Sequence, residues 1–556
     1  MKRNTLTTAV LAGLTGVAGM ASVANAVNVN PEGLGQVLLY PYYTARGGND
    51  TLVSIVNTSE NSKAVKIRFL EGLNSREVLD FNIYMSPYDV WVAGVTATED
   101  GGGKLLVNDT TCTVPYLVGD RDGEQEFLTF AYTGSASDAR DPEGIQEDVL
   151  DILDTETWND YLSAEFQQVE RTASGYIEVI EMGEVDSEGA IGYHDAIKHS
   201  EGVPPGSALV GGEVELDEDH PVCGALIDGW TGGAGSWIED DENDMLAPAG
   251  GLFGSGSIIN VQKGTLLSYD ALALDNWTTA VTHTDPGDLA PNLNQGTTSS
   301  SVFLSGSQSA QQVNWGEPFE AVSATIMQDA IMNEYVTGGG TASNTEWVVT
   351  FPTKSFYADK APEGDALSPP NFSNSIPPFL GYNQFQFGWR RWAPFLGCET
   401  VSDSIWDREE NEPTVDERGP IVSPRPPEQQ APTFRLCGET NVVRFGDGSP
   451  STTEIFGEPA GLIPSLFPRY TNIDNEALGY DSGWVQFDFD NGQVSRPGTD
   501  ANTQETVRYA GLPVMGFQAT TYTNGTLTDD SGDSVRANYG GTYRHRGTRD
   551  VTVTSD

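Results

Sequence analysis

Two Asp-Ser-Gly triplets, Asp481 to Gly483 and Asp530 to Gly532, are the first residues in this chain whose types suggest chemistry. Paired triplets of this kind bring two carboxylates together to share a proton in aspartic proteases. Here 49 positions separate them, and the second sits in the polar turn "TDDSGDS" without flanking apolar strands, so no protease is expected. The five histidines are His194, His199, His220, His283 and His545. In "HDAIKH" the spacing of five misses the i, i+4 alignment that presents two imidazoles to one zinc. Asp195 and His220 could complete a metal set, but solvated loop histidines are the expectation. No G-x-S-x-G elbow occurs, and paired cysteines leave no thiol nucleophile, so no catalytic residue is assigned and no enzyme is expected.

Carboxylates cluster with turn formers in "GDRDGEQE", "EDDEND", "FDFDNGQ" and "TDDSGDS". That is the oxygen-rich chemistry of a hard cation, which makes Asp120, Asp122, Asp240, Asp241, Asp244, Asp488 and Asp490 the candidate ligands for Ca²⁺. None of these runs has the twelve-residue EF-hand pattern, and plain solvated turns are the alternative. No other cofactor is expected. The run "FLGYNQFQFGWRRWAPFLG" gathers Tyr382, Phe385, Trp389, Arg390 and Trp392, with Gln384 and Gln386 between them. Such residues hold sugar rings by stacking and hydrogen bonding, and they are therefore the candidate ligand-binding set. A core strand with cation-π neighbours is the competing reading.

The elements that must position these residues are set by composition. A net charge of −51 repels nucleic acid and anionic lipid, which bind through Lys and Arg, so neither is expected as a partner. The 38% hydrophobic and 10% aromatic content is enough for a folded core, so the acidity is not that of a disordered chain. Lys2 and Arg3, a largely apolar run and Ala24-Asn25-Ala26 fit a signal peptide cleaved after Ala26. Its removal takes two basic residues and no acidic ones, leaving −53 on a mature chain with no expected transmembrane segment. Export to the periplasm, cell surface or medium makes disulfides the expected state of Cys112, Cys223, Cys398 and Cys437. Three connectivities are open, with sequence proximity favouring Cys112 with Cys223 and Cys398 with Cys437.

"DTLVSIVNTSENSKAVKIRFLEG" reads as a hairpin, Val65, Ile67 and Phe69 facing a core and Lys66 and Arg68 facing water. Further strands are expected in "REVLDFNIYM", "FLTFAYTG", "SGYIEVIEMG", "GSIINVQKGTLLSYDALAL", "TEWVVTFPTK", "YNQFQFGWRRW", "GWVQFDF" and "LPVMGFQATTY". Helical pattern is confined to 141–166 and 317–336, the latter with Pro318 in its first turn. The expected fold is mostly β: immunoglobulin-like or jelly-roll-like β-sandwich sheets with long loops and one or two short helices. The expected organisation is a signal peptide at 1–26, a large sandwich region with insertions at 27–360, and a C-terminal β-rich region at 361–556. The last contains a Pro-rich excursion tied off between Cys398 and Cys437.

"LVSIVNTS", "KAVKIRFLEG", "NSREVLDFNIYMSPYDVW", "TEWVVTFPTK" and "GLPVMGFQ" resemble stretches of functionally unassigned secreted or cell-surface proteins of Gram-negative, often marine, bacteria. The resemblance implies export and a β-rich fold and carries over no catalytic residue. The expected function is that of an exported, non-enzymatic cell-surface or extracellular structural or adhesion protein. Its partners would be extracellular glycan or other surface proteins. The alternatives are a secreted glycan-binding or glycan-active protein and an outer-membrane barrel.

Overall fold

The computed structural model describes residues 26–555 except 118–122, 129–168, 200–207, 211–212, 216–222, 231–235, 359–375, 380–397, 413–432, 448–451, 460–469 and scattered gaps of one to three residues. Nine strands build a sandwich in the first half: β1 (Val37–Thr44), β2 (Asp50–Asn57), β3 (Ser62–Glu71), β4 (Glu77–Met85), β5 (Val90–Ala97), β6 (Gly103–Leu106), β7 (Ser174–Val185), β8 (Leu252–Asn260) and β9 (Thr265–Asp270). One sheet is built around the order β1-β7-β3-β4, extended by Leu272–Asp275 beside β1 and Cys112–Val114 beside β4. The second runs β9-β8-β2-β5-β6 and ends on Glu124–Glu126. Val53, Ile55, Trp91 and Val95 of the second sheet meet Val65, Ile67, Phe81, Ile83, Ile177 and Val179 of the first in one core. This is the expected β-sandwich. Each such side chain contributes about 1.5–3 kcal/mol on burial.

The expected hairpin is corrected: β2 and β3 do not pair. β2 lies between β8 and β5, whereas β3 lies between β7 and β4, so the turn between them carries the chain across the sandwich. Each strand has one apolar face, and the two faces look at each other across the core instead of lying side by side. "GSIINVQKGTLLSYDALAL" is likewise not one strand. It breaks into β8, β9 and Leu272–Asp275, with Gly264 at φ +68° in the tight turn, a backbone region that β-branched residues avoid.

Strands from the second half form a further sandwich. Trp347, Val349, Val443 and Phe445 pack against Ile331, Val401, Ile405, Val485 and Phe487. A five-stranded sheet, Ser299–Phe303 to Val551–Thr554, closes over helix α1 (Pro318–Ile326), whose Val322 and Ile326 join Val37, Leu39, Val313 and Val507. Strands between 299 and 350 therefore share sheets with strands beyond 399, and the sheets join residues on both sides of position 360. Every described sheet is an open path, so none closes into the barrel of the second alternative.

α1 starts as expected. Pro318 occupies its first turn, and the Glu320 carboxylate accepts the backbone N–H of Gly316 and Glu317 at 3.0 and 3.1 Å. It ends ten residues early, because Ala330–Val336 becomes a strand between Ser482–Asp488 and Arg546–Thr548. Ile331, Tyr335 and Val336 suit a pleated sheet, and distant partners complete its ladder. The 141–166 helix lies outside the described residues.

Cys112–Cys223 and Cys398–Cys437 are both bonded. The pairing is the one that sequence proximity favours, and it fits an oxidising compartment. Among the described residues no helix is long and apolar enough to cross a membrane.

Candidate functional site

The face of the first sheet turned away from the core carries a continuous polar track. Alternation along β3 sends Val65, Ile67 and Phe69 inward and Lys66 and Arg68 outward, yet neither cation meets water: both are buried. Register places Glu178 of β7, Arg68 of β3 and Asp80 of β4 in one row, and Ile180, Lys66 and Asn82 in the next. A β-bulge between Phe69 and Leu70 breaks the alternation of β4, so that Glu77 as well as Asp80 faces this row. Arg68 donates Nε and Nη2 to Glu77 Oε2 at 2.9 and 2.6 Å and pairs with Glu178. Lys66 Nζ lies 2.7 Å from Asp80 Oδ2. Residues 283–286 roof the track: Asn82 donates to the Thr284 carbonyl at 2.9 Å, and Lys66 to the Asp285 and Pro286 carbonyls at 3.2 Å each.

At the end of the track next to the disulfide sits an aromatic box. Trp237 stacks on Tyr193 at 3.9 Å and on Tyr84 at 5.3 Å, with Trp230 and His283 completing it. Trp230 Nε1 donates to Tyr84 Oη at 2.8 Å. The Tyr84 hydroxyl then donates to His283 Nε2 at 2.9 Å, and His283 Nδ1–H donates to the Asp241 carbonyl at 2.6 Å. A carbonyl only accepts, so Nδ1 carries a proton, and in the neutral imidazole, the Nδ1–H tautomer, Nε2 is left to accept from Tyr84. Burial lowers the His283 imidazole to about 4, against an ordinary 6.5.

This sets a pH window. The stabilisation tied to neutral His283 is complete above pH 6.5 and is lost as pH falls to 4, to the extent of about 3 kcal/mol. Buried Glu77 and Glu346, raised to about 8 and 7 by desolvation, act with the opposite sign between pH 8 and 4.5. The readout is therefore the stability difference between the wild type and His283→Gln, which is expected to shrink by about 3 kcal/mol between pH 6.5 and 4. A difference that does not change with pH would contradict a buried neutral imidazole.

On the core-facing side of the same sheet Lys63 is fully buried, 2.6 Å from Glu181 and 3.1 Å from Glu184. Glu181 also accepts the backbone N–H of Ala249 and Gly250 at 3.1 and 2.7 Å. Arg171 and Glu71, 3.0 Å apart, form a further buried pair.

The residues singled out from sequence are not drawn together. Tyr382, Phe385, Trp389, Arg390, Trp392, Asp120, Asp122, Asp490, Asp530 and His220 lie outside the described residues. Asp244 is absorbed by the backbone: its oxygens accept the N–H groups of Ala190, Ile191 and Gly192 at 2.7–3.3 Å. Asp240 accepts from the Glu242 N–H at 3.2 Å, the Asp241 carbonyl holds His283, and Asp488 belongs to a strand paired with Ala330–Val336. His194 and His199 meet the hydroxyls of Ser62 and Ser86 separately, at 3.0 and 3.2 Å. Among the described residues no three His, Cys, Asp or Glu side chains converge as metal ligands. Sequence reasoning misses the polar track. Its signal is charge complementarity between strands: Lys66 and Arg68 in β3 are matched by Glu77 and Asp80 in β4 and by Glu178 in β7, as Lys63 on the opposite face is matched by Glu181 and Glu184.

The outer face of the second sheet is the converse, an apolar surface open to solvent. Leu52, Val90, Val92, Leu106, Phe253 and Leu266 are exposed there. Phe253, Val56 and Val90 stand directly opposite one another across three strands, and the next row reads Ser255, Ser54, Val92. Charged side chains stand at its margins, at Asp50, Lys104, Glu124, Glu126 and Asp270, and the Asp109 carboxylate accepts the Val92 N–H at 3.0 Å.

No family model, curated protein or solved structure matches this chain.

Proposed function

We propose that this is an exported, non-enzymatic structural or adhesion protein of the cell surface or extracellular layer, which associates with copies of itself through the apolar face of its second sheet. The resemblance to secreted bacterial surface proteins, the signal-like leader and the two disulfides support export. The observation that carries the reading is the open apolar face, in a chain whose net charge is −51. Five strands ~4.8 Å apart and about seven residues long at ~3.3 Å each give a face of roughly 550 Å² per copy, or ~1,100 Å² for two, near the ~1,000 Å² a specific interface needs. A second copy suits this face because its rows set hydroxyls beside apolar side chains, so the same surface can meet itself. Its acidic margins make association dependent on screening.

Sedimentation velocity at about 20 mM and about 500 mM NaCl tests this, since the Debye length falls from about 20 Å to under 5 Å between them. The wild type is expected to shift from monomer to dimer or larger at high salt, and Val92→Asp to remain monomeric. A wild type that is monomeric at both salts would remove the proposed surface. Sustained release of reducing ends from a polysaccharide panel would replace the reading with the glycan-active alternative. The acidic turns offer a further readout: a melting shift with Ca²⁺ that NaCl does not reproduce would make them coordination sites.

A further inference from the structure

One contact in the polar track is not accounted for by ion pairing. Asp80 Oδ2 is 2.7 Å from Lys66 Nζ, yet this buried oxygen accepts no hydrogen bond: the approach is close, but its direction is wrong for N–H···O. Lys66 directs N–H groups at the carbonyls of Asp285 and Pro286 instead. Two of its N–H groups are thus engaged by carbonyls, and its remaining close neighbour here is the Asp80 carboxyl. The Lys66 side chain is 0% exposed and that of Asp80 17%, so the pair is largely shielded from water. Alongside them stands Glu77, brought to this face by the bulge in β4. One of its oxygens is occupied by Arg68, while the other, Oε1, is buried with no partner.

We propose that Lys66 and Asp80 become joined by an intramolecular amide between Nζ and Cγ, with Glu77 relaying the proton. Of the two protons that Nζ gives up in the condensation, one passes directly to Asp80 Oδ2 and the other travels by way of Glu77. The Nζ–Cγ bond forms and the Cγ–Oδ2 bond breaks. Glu77 Oε1–H gives its proton to the departing oxygen, which leaves as water, and recovers one from Nζ, ending unchanged. No oxidant, reductant or activated co-reactant is needed. Burial raises the Glu77 carboxyl to about 8, with Arg68 pulling the other way, so a proton is available on this group at neutral pH. Exclusion of water favours the condensed product and hinders its hydrolysis. The bond staples β3 to β4 at diagonal positions across the ladder, within reach of a lysine and an aspartate on neighbouring strands.

Intact mass of the mature wild-type protein, reduced and denatured, tests this directly and does not depend on any variant folding. The expected result is a chain lighter by one water than its sequence, no tryptic cleavage after Lys66, and a branched peptide linking Lys66 to Asp80. Lys66→Arg and Asp80→Ala are expected to show the full sequence mass, and Glu77→Gln to accumulate the lighter species at least tenfold more slowly, in line with the usual loss on removing a positioned acid–base group. A wild type at full mass overturns the proposal. So does a lost water that maps to an Asp-Gly succinimide elsewhere in the chain.

Discussion

Replacing Lys63 with Met is expected to cost about 3–5 kcal/mol of unfolding free energy, among the largest effects of any single substitution in this protein. The reason lies in what remains. Glu181 and Glu184 would stay buried, with the cation that both of them pair with gone, and Glu181 would keep only its two backbone donors. Burial already raises the Glu181 carboxyl above its ordinary range, with Lys63 pulling it down, so the variant should take up a proton on folding and lose more stability as pH rises. Lys63→Met combined with Glu181→Gln returns the cluster to its original formal charge, with Glu184 as its one remaining carboxylate, and keeps an oxygen for the Gly250 N–H. It should recover at least half of the loss, because a buried ion pair replaced as a unit is often close to neutral in stability. Urea titration followed by tryptophan fluorescence gives both numbers. A loss under about 1 kcal/mol for Lys63→Met would mean that the pair is hydrated and that the buried ladder is not a stabilising element.

The Cys112→Ser, Cys223→Ser double variant is expected to lose about 4–5 kcal/mol. The bond closes a separation of 111 residues, for which loop-closure entropy gives about 4.8 kcal/mol, against about 3.9 for the separation of 39 at Cys398–Cys437. The first bond has a structural consequence as well. It ties the strand Cys112–Val114, at the edge of the first sheet, to the start of the helix Gly224–Trp230, and so holds Trp230 and Trp237 against Tyr84. Its removal should expose His283 and bring its imidazole back toward 6.5, whereas removal of the second bond should leave His283 unchanged. Comparing urea midpoints and His283 titration by NMR in the two variants separates loop entropy from local anchoring. Equal stability of the Cys112/Cys223 variant and the wild type would contradict the pairing.

Both predictions depend on the surroundings of buried polar groups, the feature least legible in the sequence. The period-two pattern of β3 tells which residues share a side, but not what each side meets. In an isolated sheet the polar face is the wet one, which is why Lys66 and Arg68 are expected in water. In the folded chain residues 283–286, more than two hundred positions away, roof that face and supply carbonyls to Lys66 and Asn82. The apolar outer face of the second sheet shows the complementary limit. Val90 and Val92 alternate with the buried Trp91, and nothing local says which member of such an alternation is enclosed.

What the sequence by itself determined is the class of structure. Alternating β-branched and aromatic residues between polar turns specify strands, Pro318 marks a helix start, and four cysteines in a chain with an export-type leader specify two bonds. These are signals between residues a few positions apart, where spacing alone selects a backbone conformation. Tertiary structure alone decided which strands became neighbours. It put β2 and β3 in opposite sheets, turned the second half of 317–336 into a strand, set Glu178, Arg68 and Asp80 in one row, and placed Lys66 against Asp80. The physical reason is that an isolated strand leaves its hydrogen bonds and one or both of its faces unsatisfied, and many distant partners of suitable pattern could complete it. Only the simultaneous packing of all the sheets, with each buried charge matched, selects among them.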